Sequence, residues 1–420
     1  MVKRFDAGFE EYDPFFVTRT RASGLQARTY LRGLMQARRR NIERIRDAVP
    51  GSDEQALHHF IANSPWDHRL VLHQVARDAN VLLGGTDDSF LVIDETGFPK
   101  KGRDSVGVAR QWCGRLGKVD NCQTAVCASL GKGSIATLID TSLFLPKEWI
   151  GDRNRMTEAG VPESFQVHRT KQELALDLVE RALQNGVQFS WIGFDGFYGD
   201  NGQLLRMLDM AGLTFLGDVH CDQYVWTADP TTDKSARRMR ADQWVASQNA
   251  DAWQRIEVRE GTKGPMEVAV LHDRVWLYQK GDEQAYHWHL IVTRQPNRLK
   301  YSLSNAAPET PVKRLAYMQG QRYFVERALE DAKQQGGLGE YQVRGWRGWH
   351  HHAALVMMAM LFLTRERLEI GEPVLTAADV QMMLVHYFPR RDRTPQDLTE
   401  LLRRRFARRG EVFPYDLPEK

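Results

Sequence analysis

The chain has 420 residues, of which 42% are hydrophobic and 26% charged, enough for roughly two or three globular units at about 150 residues each. It contains no apolar run of about 18 residues, so no membrane span is expected, and Met1-Val2-Lys3-Arg4-Phe5-Asp6 leads into no apolar signal stretch. Cys113, Cys122, Cys127 and Cys221 lack paired Cys-x-x-Cys spacing, which argues against a zinc site and for reduced thiols. A net charge of +3 is too small to argue for nucleic acid by itself. Arginines do gather at 38–40, 237–240, 390–393 and 403–409, and such clusters serve as solvated helix faces or as phosphate contacts.

Residues 1–85 read as helical. From Gln26 to Asp47, Leu31, Leu34, Met35, Ile42 and Ile45 keep helical spacing. Ser52 with Gln55 predicts a capping box, and Ser64-Pro65 with Asp67 predicts a second helix start. The tight turn at Ala62-Asn63 is compatible equally with a DNA-reading helix-turn-helix and with a plain three-helix bundle.

Near residue 86 the pattern changes. Phe90-Leu91-Val92-Ile93 is a short apolar run of the kind that forms a strand buried on both faces, and it ends at Asp94. Strands are expected near 121–130 and 135–145, then a helix from Lys171 to Leu183. Phe189 to Phe194 forms another buried strand, ending at Asp195, before a helix at 201–211 and a strand at Leu213–Leu216. The order βββ-α-β-α-β predicts an α/β layer with a mixed sheet. Residues 219–305 read as β-rich, and five of the eleven tryptophans (Trp226, Trp244, Trp253, Trp276, Trp288) fall there. Helices are expected at 321–335, 346–368, 376–387 and 395–409. The resulting division is 1–85, 86–218, 219–305, 306–370 and a basic 371–420.

Asp94 and Asp195 each follow directly on a buried strand, at the rim where α/β sheets place ligands. Two neighbouring anions repel unless a cation lies between them, and oxygen ligands suit Mg²⁺ or Mn²⁺. A third carboxylate is expected from the 321–333 helix. There Arg322, Glu326 and Lys333 share one face, an arrangement that also describes an ordinary salt-bridged helix; Glu330 is the rival ligand.

These segments resemble the insertion-sequence transposases of DDE type whose catalytic domain is ribonuclease H-like, in the group with a Tyr-x₂-Arg-x₃-Glu-x₆-Lys signature. The resemblance rests on Leu91 to Gly102, Ser105 to Gly114, Gly117 to Gln123, Phe194 to Asp200 and Arg322 to His350. It departs from the signature at Gln319, where a tyrosine is expected; Tyr317 is out of register. Asp195 follows Asp94 by 101 positions and Glu326 follows Asp195 by 131, and the family fills the second gap with a β-rich insertion.

The resemblance implies catalysis and metal ligation by Asp94, Asp195 and Glu326, with two Mg²⁺ or Mn²⁺ ions. It implies phosphate contacts from Arg322 and Lys333; Lys100, Lys101, Arg110 and Arg344 are further candidates for DNA contact, and at Lys100, Lys101 and Arg110 simple surface charge fits equally well. The implied reaction cleaves the ends of an insertion sequence and joins their 3′-hydroxyls to target DNA by two-metal phosphoryl transfer. The expected partners are double-stranded DNA, as terminal inverted repeats and target, and a second copy of the chain in a synaptic dimer; the expected location is cytoplasmic and nucleoid-associated. Two alternatives remain: an inactive transposase-derived regulator and a simple metal-dependent DNA nuclease. Trp276 or Trp288 is a candidate platform for a flipped base, with core packing as the competing role. His350-His351-His352 cannot converge on one ion from a helix, and the expectation there is a helix start near DNA with one or two imidazoles on phosphate.

Overall fold

The computed structural model describes residues 1–19, 21–261, 264–279, 281–371, 375–391, 394–407 and 409–415. Arg393 and Arg408 of the basic clusters lie outside the described residues.

The chain opens with α1 (Val2–Glu10), α2 (Gly24–Gln36), α3 (Ile42–Ala48), α4 (Glu54–Ala62) and α5 (His68–Leu83). The single helix expected from 26 to 47 is therefore broken. Ala37 turns extended, and Asn41 restarts the helix by accepting a hydrogen bond from the Arg44 amide. Two predicted caps are also corrected. Asp53, not Ser52, caps α4, because the Ser52 hydroxyl donates instead to the Arg46 and Val49 carbonyls. Asp67, not Ser64, caps α5.

The sheet follows: β1 (Ser89–Pro99), β2 (Ala109–Cys113), β3 (Lys118–Lys132) and β4 (Ile135–Leu143), then α6 (Lys147–Ile150), α7 (Arg153–Glu158) and α8 (Lys171–Gln184). After these come β5 (Trp191–Phe194), α9 (Gly196–Gly199), α10 (Gly202–Met210) and β6 (Phe215–Val219). β3 runs antiparallel to both β1 and β4, whereas β1, β5 and β6 are mutually parallel. The spatial order β4-β3-β1-β5-β6 with this mixture of directions is the ribonuclease H-like arrangement. Parallel β1 and β5 are buried along their lengths, as strands covered on both faces must be.

The tryptophan-rich segment supplies β7 (Tyr224–Trp226), β8 (Arg238–Arg240), α11 (Ala241–Ala246), β9 (Gln254–Gly261), β10 (Gly264–Leu277), β11 (Tyr286–Gln295) and β12 (Arg298–Ser304). These strands extend the same sheet, since β12 pairs antiparallel with β6 and continues through β11 and β10. They enclose a second, smaller core around Val225, Trp244, Leu271, Leu290 and Leu303.

The chain then forms α12 (Val312–Gln321), α13 (Tyr323–Gln334), α14 (Trp346–Ile370), α15 (Ala377–Tyr387) and α16 (Pro395–Ala407). α12 was not expected, and it meets α13 at Arg322. α14 is buried on all sides from Gly348 to Thr364 and packs against α5, α4, α2 and β4. One hydrophobic core thus joins the N-terminal helices to the sheet. No described helix is long and apolar enough to cross a membrane. All four cysteines are free.

A row of carboxylates and the candidate active site

Strand register fixes the first part of the site. Ile93 pairs with Phe194, and Phe194 with Gly217, across three parallel strands. The residue that follows each of these is Asp94 on β1, Asp195 just past the end of β5, and Asp218 on β6. The three aspartates therefore form one row, with neighbouring strands about 4.8 Å apart. Side chains in one row leave the sheet on one face, and all three line a cavity of about 700 Å³ together with Arg322, Glu326 and Lys333.

Each carboxylate is held differently. Asp94 Oδ1 accepts a hydrogen bond from the Glu95 amide at 2.7 Å, and its side chain is nearly enclosed. Asp195 caps α9, with Oδ1 accepting from the amides of Phe197 and Tyr198. Asp218 accepts from the Ser302 hydroxyl at 2.7 Å and pairs with Lys300 Nζ at 3.1 Å. Glu326, on α13, is half exposed and reaches Arg322 Nη2 at 2.8 Å. Glu95 also borders the cavity but is paired with Lys171 at 2.7 Å.

Arg322 occupies the centre. Its Nε lies 2.8 Å from Asp218 Oδ2, and Nη1 lies 3.9 Å from Asp94 Oδ2. Burial disfavours its charge, but Asp218, Glu326, Asp94 and Asp195 outweigh that and hold it above the ordinary arginine range. Burial, with Asp195 next to it, pushes the Asp94 carboxyl up to about 7. Burial likewise raises Asp195, and it lowers Lys300 and Lys333.

Among the described residues, no three acidic, histidine or cysteine side chains stand as a preformed metal cluster. Arg322 lies between Glu326 and the aspartate row, touching Glu326 and Asp218 and approaching Asp94. The chemistry of the donors nevertheless fits a divalent cation. They are hard carboxylate oxygens, and the Asp94 carboxyl, raised first by burial and then by the neighbouring Asp195, is a group that a bound cation would hold in its charged form.

The cavity brings together Asp94, Asp195, Glu326, Arg322 and Lys333 from the sequence expectations. It does not include Lys100, Lys101, Arg110 or Arg344. Lys100 packs on the Tyr341 ring at 3.6 Å, and burial lowers its pKa to about 8. Lys101 is exposed in the loop after β1, and Arg110 is exposed on β2. Arg344 pairs with Asp104 at 2.8 Å beside a separate surface cleft. Glu330, the rival ligand, reaches Arg327 at 3.7 Å and does not line the cavity.

The histidine expectation is corrected. His350, His351 and His352 are all buried, and each imidazole bonds to backbone: to Trp346, to Ile61 and Trp66, and to Gly337 respectively. None is available to a phosphate. Trp288 is buried against Phe215, and Trp276 stacks on His287 at 4.3 Å. Sequence reasoning missed Asp218, Lys300, Arg298, Trp112 and Arg115, all of which line the cavity.

Carboxylates at the ends of central strands, faced by a helix carrying Glu326 and Lys333 with Arg322 at its start, thus line one cavity at the edge of a ribonuclease H-like sheet. The family model described as DDE superfamily endonuclease matches residues 12–265, more than half of the chain, and the chain belongs to that family. The matched stretch holds Asp94, Asp195 and Asp218 but ends before Arg322.

The chain is 30% identical over 192 residues to a probable transposase for insertion sequence element IS701 from Microchaete diplosiphon, covering 45% of this chain and 46% of that protein. It thus spans under half the length of that curated relative. The NurA nuclease from Sulfolobus solfataricus aligns at 11% identity and a TM-score of 0.24, over 73% of this chain and 94% of that one, a score too low to carry an inference.

Proposed function

We propose that the chain is a DNA transposase that cleaves the ends of an insertion sequence and joins their 3′-hydroxyls to target DNA. The observation that carries this reading is the convergence of Asp94, Asp195 and Glu326, from three distant segments, on one cavity lined by Arg322 and Lys333. The IS701 relative supports the same class of activity.

Asp94, Asp195 and Glu326 would hold one or two divalent ions, Mg²⁺ or Mn²⁺. Bound there, such ions polarise a phosphate and activate water or a 3′-hydroxyl. The chain's own residues do the rest. The α9 amides fix the Asp195 carboxylate, leaving its second oxygen for a ligand. Lys333 and Arg322 bind phosphate oxygens and hold the scissile bond in line. Only the nucleophile changes between cutting and joining, so one site serves both steps. Helices in residues 1–85 and the exposed Lys101, Arg110 and Arg344 contact the duplex outside the cavity, and two copies of the chain pair two element ends.

The second reading is a metal-dependent endonuclease that cuts without joining, favoured by the description of the matched family. Purified protein incubated with Mg²⁺, labelled terminal-repeat DNA and a supercoiled target separates the readings. Joined product supports the transposase, cut product alone supports the nuclease, and neither product supports an inactive DNA-binding derivative. Asp94→Ala should abolish cutting and leave DNA binding intact; a variant that still cuts removes Asp94 from the site.

A further inference from the structure

Asp218, a further carboxylate of the cavity, has no role in the reading above, yet it is more heavily tethered than Asp94, Asp195 or Glu326. Ser302 donates its hydroxyl to Asp218 Oδ1 at 2.7 Å. Gln319 Nε2 in turn donates to Ser302 Oγ at 2.7 Å, and Gln319 Oε1 accepts from Thr293 at 2.6 Å. Gln319 stands where the signature tyrosine is expected, buried at the base of this chain of bonds. The free side of Asp218 faces two cations, Arg322 at 2.8 Å and Lys300 at 3.1 Å. Lys300 is also fixed from behind, donating to the Gln319 carbonyl at 3.2 Å. Three elements (β11, β12 and α12) thus converge on one carboxylate whose outward side holds two cations at the cavity wall.

We propose that Asp218 is a positioning residue for phosphoryl transfer: set by the Gln319–Ser302 relay, it anchors Arg322 and Lys300 as a cationic pair for the DNA phosphate beside the cut. This rests on the proposed endonuclease chemistry and adds to it a reason for the β-rich segment, which delivers Lys300 and Ser302 to the site on β12. It also gives Arg322 an anchor that remains when Glu326 turns to a cation. Asp218 itself touches neither substrate nor metal.

The test uses the full chain and a labelled duplex carrying the inverted repeat that flanks its gene. Asp218→Asn keeps the shape and removes the charge, while Ser302→Ala keeps the charge and removes the orienting hydroxyl. For Asp218→Asn, kcat for cleavage should fall by at least about tenfold through loss of positioning. Duplex affinity in EDTA should stay within about twofold or tighten, because both cations remain and one anion is gone. The Mn²⁺ concentration for half-maximal cleavage should stay within about threefold. Ser302→Ala should show the same pattern at about threefold in kcat, and it carries the test if Asp218→Asn fails to fold.

Unchanged kcat in a folded variant overturns the proposal. So does a rise in half-maximal Mn²⁺ of about tenfold in step with kcat, which would make Asp218 a metal ligand. A wild-type chain that cuts no DNA sinks the endonuclease reading itself, and this proposal with it.

Discussion

Arg322 Nη2 sits 2.8 Å from Glu326 Oε1, one helical turn further along the chain. The pair has the spacing of an ordinary surface i,i+4 bridge, but the arginine is largely enclosed and also touches Asp218 and approaches Asp94. The guanidinium therefore supplies positive charge to an acidic site, and a divalent cation must compete with it for the Glu326 and Asp94 carboxylates. Arg322→Gln should bind Mn²⁺ more tightly than wild type in the absence of DNA, by several-fold in calorimetry, because a competing cation is gone. The same variant should lose about a hundredfold in cleavage rate, since its phosphate contact is lost. Equal or weaker Mn²⁺ binding would refute the competition.

The Asp94 carboxyl gives a pH-dependent prediction for the metal-free protein. Burial and then Asp195 raise it to about 7, against the pull of Arg322 and the Glu95 amide. A carboxyl with a raised folded pKa holds more protons folded than unfolded. Its stabilising contribution is full below about pH 4 and is lost as pH rises through about 7. Asp94→Asn fixes the uncharged form. Without metal at pH 8 it should be more stable than wild type by on the order of 4 kcal/mol, and the difference should shrink by pH 5. Added Mg²⁺ should raise the melting temperature of wild type more at pH 8 than at pH 6, with little effect on Asp94→Asn. Parallel pH profiles for the two proteins would exclude Asp94 as the titrating group.

The ease of reading this site from sequence follows from where each residue gets its geometry. Asp94 and Asp195 were legible because each closes an apolar run that can only be a buried strand, and the helix face of Arg322, Glu326 and Lys333 follows from spacing alone. Asp218 carries the same signal after Phe215-Leu216-Gly217, but a strand ended at Leu216 leaves it outside. Lys300 was illegible for a different reason: it reaches the cavity only because β12 pairs with β6, a long-range contact that no local pattern encodes. The histidines misled because three consecutive imidazoles read as polar, while in the fold each meets a carbonyl, two of them from distant segments. Tyr30, from α2, closes the bond on His352 at 2.9 Å. Likewise, the helix expected over 26–47 kept its apolar spacing through Arg38–Arg40, but propensity gave way to the Asn41 cap.

Away from the cavity, Asp140 on β4 ties two helices to the sheet. It accepts two bonds from Arg69 of α5, at 2.7 and 2.9 Å, and one from Arg181 of α8 at 2.7 Å. Burial would raise its pKa, yet the two guanidinium groups outweigh this and hold it well below the usual carboxylate range. Removing the anion leaves two largely buried cations facing each other, a loss that costs about 3–5 kcal/mol in comparable buried pairs. Asp140→Asn should therefore unfold at clearly lower urea than wild type at pH 7. Because the folded pKa is depressed, the contribution is present above the unfolded value of about 4 and fades as pH falls below it. The gap between the two urea midpoints should accordingly narrow at pH 3. Cleavage per folded molecule should be unchanged, since Asp140 does not line the cavity. Equal midpoints at pH 7 would mean that the arginines find other partners and that α5 and α8 are held by their apolar faces alone.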